Sequence, residues 1–322
     1  MKPMAKTLGS FRAAVPIGWI ALGVAGVLYA RFKGIPSWAA VPVLAAYLVE
    51  YPFYLVPAFP TLRERLAGAR LPGFLVASTV LPYLVCCCGA VDFQWIGLVR
   101  LAALSLALSL WYLVLPATAL ADIAFLALIA SVMLGRYFDP IYPKPYPGVD
   151  ATYLGKLALI QIAVMTLTLE RRIHETGYGF VPKWHDWRIG ALHYLYFVPV
   201  GLPLALVIKA VRFAAPAPLW VAAATFLGML WVVVLFEEFL FRGVLQSWIE
   251  EWTWSRKAAL VITSVLFGLA HLWFRSFPNW RWVPVATVLG WFCGRARNEA
   301  GNIRAGMVTH ALVVTTWRVF FA

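Results

Sequence analysis

Eleven stretches of 16 to 31 residues are almost purely apolar, at 13–30, 38–59, 74–92, 94–115, 118–134, 152–169, 191–211, 219–249, 257–274, 282–297 and 303–321, with short runs of Pro, Gly and charge between them. A helix needs about 20 apolar residues to cross the roughly 30 Å hydrocarbon core of a bilayer. Inside that core the backbone has no water to bond, so only helices and closed barrels cross it, and these stretches are too long for barrel strands. The pattern predicts an all-α polytopic integral membrane bundle with roughly 8–11 transmembrane helices, the lower figure holding if the shorter stretches do not cross. Composition agrees: 62% of residues are hydrophobic and 13% charged, more apolar surface than a single globular core buries. A disordered, collagen-like or disulfide-stapled chain is excluded. Within 191–211, Pro199 and Pro203 predict a kinked or re-entrant segment.

The chain carries 27 Lys and Arg against 14 Asp and Glu, a formal charge of +13. In a soluble protein such an excess suggests nucleic acid; in a membrane protein orientation explains it, and no nucleic-acid partner is expected. If all eleven stretches cross, 15 Lys and Arg fall on the side of the N-terminus and 8 on the other, among them Lys209, Arg212, Arg275 and Arg281. Cytoplasmic loops hold the basic excess, so the N-terminus is expected in the cytoplasm, with the first apolar stretch kept as an uncleaved helix. Cys86, Cys87, Cys88 and Cys293 lie in apolar runs and read as reduced, buried thiols. The Ala-Ala-Pro-Ala-Pro run at 214–218 divides the chain into a multi-span scaffold, 1–213, and a region, 214–322, that holds the chemically suggestive residues.

Ionisable residues inside a membrane are costly and by default mark function. The densest group is Glu237, Glu238 and Arg242 in Leu-Phe-Glu-Glu-Phe-Leu-Phe-Arg. Adjacent helical residues point about 100° apart, so the two carboxylates cannot share one partner equally. Glu238 and Arg242, at i and i+4, suit an ion pair along one face, which leaves Glu237 free to point elsewhere. His271 ends Phe267-Gly-Leu-Ala-His271, and His310 sits in a late apolar stretch. A carboxylate in a dry pocket can act as a general base near neutral pH, so Glu237 beside an imidazole has the chemistry to deprotonate a water. A second imidazole can donate to a developing oxyanion. Together these groups imply hydrolysis of an amide without a covalent intermediate. A zinc site at Glu237, His271 and His310 is the weaker alternative, because the chain has no HExxH and no helical His pair; no cofactor is expected.

The blocks Glu237-Glu238-Phe-Leu-Phe-Arg242, Phe267-Gly-Leu-Ala-His271 and His310 resemble the EExxxR, FxxxH and HxxxN signatures of the CPBP family, the CAAX-processing and bacteriocin-processing intramembrane proteases. The resemblance covers about 100 residues, from near Leu219 to the C-terminus. It implies a helical membrane core and glutamic-type endopeptidase activity on a C-terminal or membrane-proximal segment of a membrane-associated protein. By that likeness Glu237 activates water with the help of His271, His310 helps hold the oxyanion, and Glu238 and Arg242 organise the site. The chain departs from the signature at Val314, where the family has Asn or a similar polar residue; Thr309 and Thr315 are the neighbouring hydroxyls.

The expected location is a bacterial inner membrane, with the site open toward the cytoplasmic half. The alternatives are a catalytically inactive membrane scaffold or bacteriocin self-immunity protein of the same fold, which Val314 favours, and a proton-coupled transporter, against which the lack of an internal repeat counts. Outside this region, Glu50 and Arg100 are expected to neutralise each other, Asp122 is a third charge within an apolar stretch, and Trp184, His185, Trp187 and Arg188 read as an interfacial loop.

Overall fold

The computed structural model describes residues 2–173, 176–216 and 218–321, with side chains from Ser10 onward. Each of the eleven apolar stretches is a helix: α1 Lys2–Lys33, α2 Ser37–Leu55, α3 Arg70–Cys86, α4 Trp95–Ser109, α5 Ala119–Leu134, α6 Thr152–Leu169, α7 Trp184–Val207, α8 Leu219–Thr253, α9 Arg256–Ala270, α10 Trp282–Ala300 and α11 Ile303–Phe320. Among the described residues there is no strand, only isolated bridges such as Phe213 with Phe321. The protein is an all-α integral membrane protein. By length and hydropathy six helices suffice to cross a bilayer, namely α1, α2, α6, α7, α8 and α9, and α3 with the bent helical turn before it makes a seventh. Helices α4 and α5 are shorter, at 15 and 16 residues.

The proline-containing seventh stretch is continuous rather than re-entrant: α7 carries both Pro199 and Pro203 inside it. It also starts earlier than the apolar pattern does, so Trp184, His185, Trp187 and Arg188 form its first turns rather than a loop. The cause is Asp186, which is buried and accepts from the Lys183 backbone N–H at 2.8 Å, a cap that nucleates the helix before its apolar face begins.

The chain forms two compact units, 1–173 and 174–322, so α7 belongs with the C-terminal helices. In the first unit α6 is the central helix, packed by α2, α3, α4 and α5. Buried Asp122 accepts two hydrogen bonds from Arg171, at 2.8 and 2.9 Å, and one from Tyr112 at 2.9 Å. The expected pair of Glu50 with Arg100 does not form. Glu50 is buried without a hydrogen-bond partner among the described residues, whereas Arg100 lies on the exposed face of α4.

In the second unit α7, α9 and α11 surround α10, and α8 lies along α9 and α11. Phe197, Phe267, Leu289, Cys293 and Val313 bring these helices into one apolar core. Close approach of α9 and α10 depends on Gly290, where a Cβ would meet the Ser264 backbone at 3.1 Å. Asp186 also accepts from Asn302 at 2.9 Å and Arg304 at 3.0 Å, which fixes the start of α11 against the start of α7. Two wide π-helical turns, Met229–Val234 and Phe239–Leu245, flank the single α-helical turn Leu235–Glu238 in α8. Such turns are rare and gather at functional sites, where they redirect side chains.

Candidate active site

The turn Leu235–Glu238 sends its two carboxylates in different directions. Glu238 is fully buried, and its Oε1 lies 3.1 Å from Nη1 of Arg242, which is also fully buried. Arg242 further donates from Nη2 to the Gly290 carbonyl at 3.2 Å and lies 4.2 Å over the Phe267 ring. The same Glu238 Oε1 accepts from His310 Nδ1 at 2.9 Å. A carboxylate accepts, so Nδ1 carries the proton, and Nε2 is left facing the other carboxylate, with Glu237 Oε2 at 3.7 Å. That separation is too long for a direct hydrogen bond and suits a bridging water.

His271 caps the C-terminal end of α9 and donates from Nδ1 to the Phe267 carbonyl at 2.8 Å. Its Nε2 is therefore the free acceptor of the neutral ring. Phe267 is fully buried and spaces the two imidazoles, with its ring 4.6 Å from that of His271 and 5.5 Å, edge to face, from that of His310. All five residues singled out in the sequence thus come together. Glu237, His271 and His310 line a cavity of about 110 Å³, while Glu238 and Arg242 lie behind His310 and do not line it. The walls are apolar, including Trp282, Val314, Trp317 and Phe321.

Val314 occupies the wall one turn beyond His310, and neither neighbouring hydroxyl replaces the missing amide there. Thr309 donates to the Gly190 carbonyl at 2.9 Å and Thr315 is not among the lining residues. The polar groups that the sequence did not point to are Arg275 and Arg318, both exposed and both lining the cavity. Sequence position concealed them: Arg275 follows a short turn after α9, and Arg318 is two helical turns beyond His310.

These residues place the cavity at the end of the unit where α7, α9 and α11 finish. With the N-terminus inside and eleven crossings, that end lies outside.

Among the described residues, ligand-type atoms of Glu238, Cys293 and His310 converge within 4.8 Å of one another. That is not the set expected from the sequence. The Arg242 guanidinium already sits on the Glu238 oxygen that His310 shares, and a fixed cation there opposes a second one.

Residues 218–316 match the family described as type II CAAX prenyl endopeptidase Rce1-like. About a third of the chain is thus similar to that family. It contains Glu237, Glu238, Arg242, His271 and His310 and stops short of Arg318. The description is of a CAAX prenyl endopeptidase, and the five residues singled out in the sequence fall within the matched stretch. The chain matches no curated protein and no solved structure.

Proposed function

We propose that this protein is a glutamic-type intramembrane endopeptidase that hydrolyses a peptide bond near the C-terminal or membrane-proximal end of a membrane-associated protein. The observation that carries the reading is the make-up of the cavity. Its lining among the described residues includes a carboxylate and two imidazoles but no hydroxyl, thiol or amine, which supports water, activated by Glu237, as the attacking group.

A water about 2.8 Å from Glu237 Oε2 and in reach of His271 Nε2 has two acceptors for its two protons. Glu237 takes one proton as the water oxygen bonds to the carbonyl carbon, and the carbonyl oxygen becomes the oxyanion. His310, held from behind by Glu238, faces that charge through Nε2 and donates to it as the imidazolium, with a proton on each ring nitrogen. When the C–N bond breaks, the proton held by Glu237 passes to the departing amine, and the second water proton leaves to His271 Nε2, so that the new acid is a carboxylate. Arg242 keeps the Glu238 carboxylate in place without entering the cavity. Trp282, Val314, Trp317 and Phe321 suit an apolar tail, and the similarity to CAAX prenyl endopeptidases makes a prenylated C-terminus the first substrate class to test.

The test compares the C-termini of membrane and envelope proteins by mass spectrometry in cells with wild type or Glu237→Gln at equal abundance. Tails trimmed only with wild type are expected. Identical C-termini in the two strains would remove the proteolytic reading and favour a scaffold of the same fold.

A further inference from the structure

The cations of the second unit are not distributed alike at its two ends. At the end where α7 and α11 begin, three arginines meet carboxylates, Arg256 and Arg297 reaching Glu250 at 2.8 and 3.4 Å and Arg304 reaching Asp186 at 3.0 Å, while Lys183, Arg188, Lys257 and Arg295 have no ion pair among the described residues. At the cavity end, Lys209, Arg212, Arg275, Arg281 and Arg318 have no ion pair among the described residues. Lys209, Arg212, Arg275 and Arg281 line a wide outer basin of about 770 Å³ without any carboxylate. Arg275, Val211 and Trp282 line both this basin and the inner cavity, so the two adjoin. Arg275 and Arg318 are the two cations that also line the inner cavity, beside Glu237, His271 and His310.

Resting on the proposed hydrolysis, we infer that Arg275 and Arg318 receive the free C-terminal carboxylate of the substrate and so determine where the chain is cut. An unpaired guanidinium at the edge of an apolar cavity is a strong receptor for a carboxylate, which it can grip through two parallel N–H donors. His310 and Arg318 lie on the same helix eight residues apart, an axial rise of about 12 Å. A carboxylate held at Arg318 therefore lies beyond His310 along the helix, on the C-terminal side of the bond that is cut. Val314, Trp317 and Phe321 border that path, which selects apolar residues within the released piece. A lipid headgroup is the competing anion. Lys209, Arg212 and Arg281 of the outer basin are available to it, whereas Arg275 and Arg318 share the space in which the peptide reacts.

The experiment uses the full chain with Glu237→Gln in phosphatidylcholine nanodiscs, so that binding is read without turnover. The probes are a farnesyl-cysteine peptide ending in three apolar residues with a free carboxylate, and the same peptide as its C-terminal amide. At least about tenfold tighter binding of the acid is expected. Arg275→Gln or Arg318→Gln, each added to Glu237→Gln, should bring the ratio toward one, and Arg318→Lys should retain most of it. Equal binding of acid and amide, or equal weakening of both by the arginine substitutions, overturns the assignment even if wild type cleaves. Selective binding of the acid upholds it even if no cleavage is found, in which case the hydrolytic reading alone falls. If neither peptide binds, the assignment fails. If adding phosphatidylglycerol changes binding through Arg275 and Arg318 while the acid-to-amide ratio stays at one, the rim serves lipid instead.

Discussion

Replacing Glu238 with Gln keeps the shape of the side chain and removes its charge, which isolates what the buried ion pair does. Glu238 and Arg242 are both fully buried, and their contact is 3.1 Å. Once the charge is removed, the guanidinium retains a single hydrogen bond, to the Gly290 carbonyl, and the Phe267 face. Breaking a buried pair on one side costs about 3–5 kcal/mol, because an uncompensated charge is left out of water. Replacing both partners removes that penalty, so Glu238→Gln with Arg242→Met is expected within about 1–2 kcal/mol of wild type. A double-mutant cycle should therefore give a coupling of about 3 kcal/mol or more, measured by reversible unfolding in mixed micelles and followed by tryptophan fluorescence. Turnover should not recover with stability. The double variant leaves His310 Nδ1 without a carboxylate, and a loss of about 100-fold or more is expected, in the range of a misplaced acid–base group. A single variant within about 1 kcal/mol of wild type, or a coupling near zero, would refute the assignment of Arg242 as the counter-charge of this carboxylate.

Three further outcomes are expected. Val314→Asn places an amide in the cavity wall one turn beyond His310, and cleavage should be preserved or raised by up to about tenfold; a well-folded variant with no cleavage beside an active wild type would show that another donor occupies this space. At Gly306 a Cβ would come 2.6 Å from Glu238 Oε2 and 3.1 Å from the Cys293 carbonyl, so Gly306→Ala should displace the carboxylate, lower stability by about 1–3 kcal/mol and lower turnover with it, and unchanged kinetics would show the carboxylate free to move. Asp122→Asn should destabilise the first unit by about 2–4 kcal/mol by weakening the bond to Arg171, while activity of the folded fraction at low temperature stays at the wild-type level; a matching fall in specific activity would contradict this.

The sequence carried the helices and the chemistry well because both are written in local spacing. Eleven apolar stretches became eleven helices, since bilayer-length hydrophobic runs leave few other folds open. The Glu238–Arg242 pair followed from i, i+4 spacing, and Glu237, His271 and His310 were each conspicuous as ionisable groups in apolar surroundings. Long-range partners were less legible. Glu50 and Arg100 are charges in the second and fourth apolar stretches, but α4 turns Arg100 outward, and no periodicity specifies that rotation. The capping carboxylate Asp186 moved the start of α7 back to Trp184, because its partners Asn302 and Arg304 lie more than a hundred residues away in sequence. Arg275 and Arg318 looked like ordinary flanking charges, and only the convergence of three helix ends puts them in the cavity. The π-helical turns around Leu235–Glu238 were invisible, since a widened turn has no composition of its own.

The most direct test of water activation by Glu237 is turnover in water enriched in the heavy oxygen isotope. The purified full chain, reconstituted in liposomes, is given the farnesylated peptide with a free carboxylate, and the products are read by mass spectrometry. Wild type should release a short C-terminal piece and place one heavy oxygen in the new carboxylate of the other product, while Glu237→Gln, folded to the same extent, should release neither. Cleavage that persists in Glu237→Gln with the same isotope incorporation would contradict the role of this carboxylate as the base.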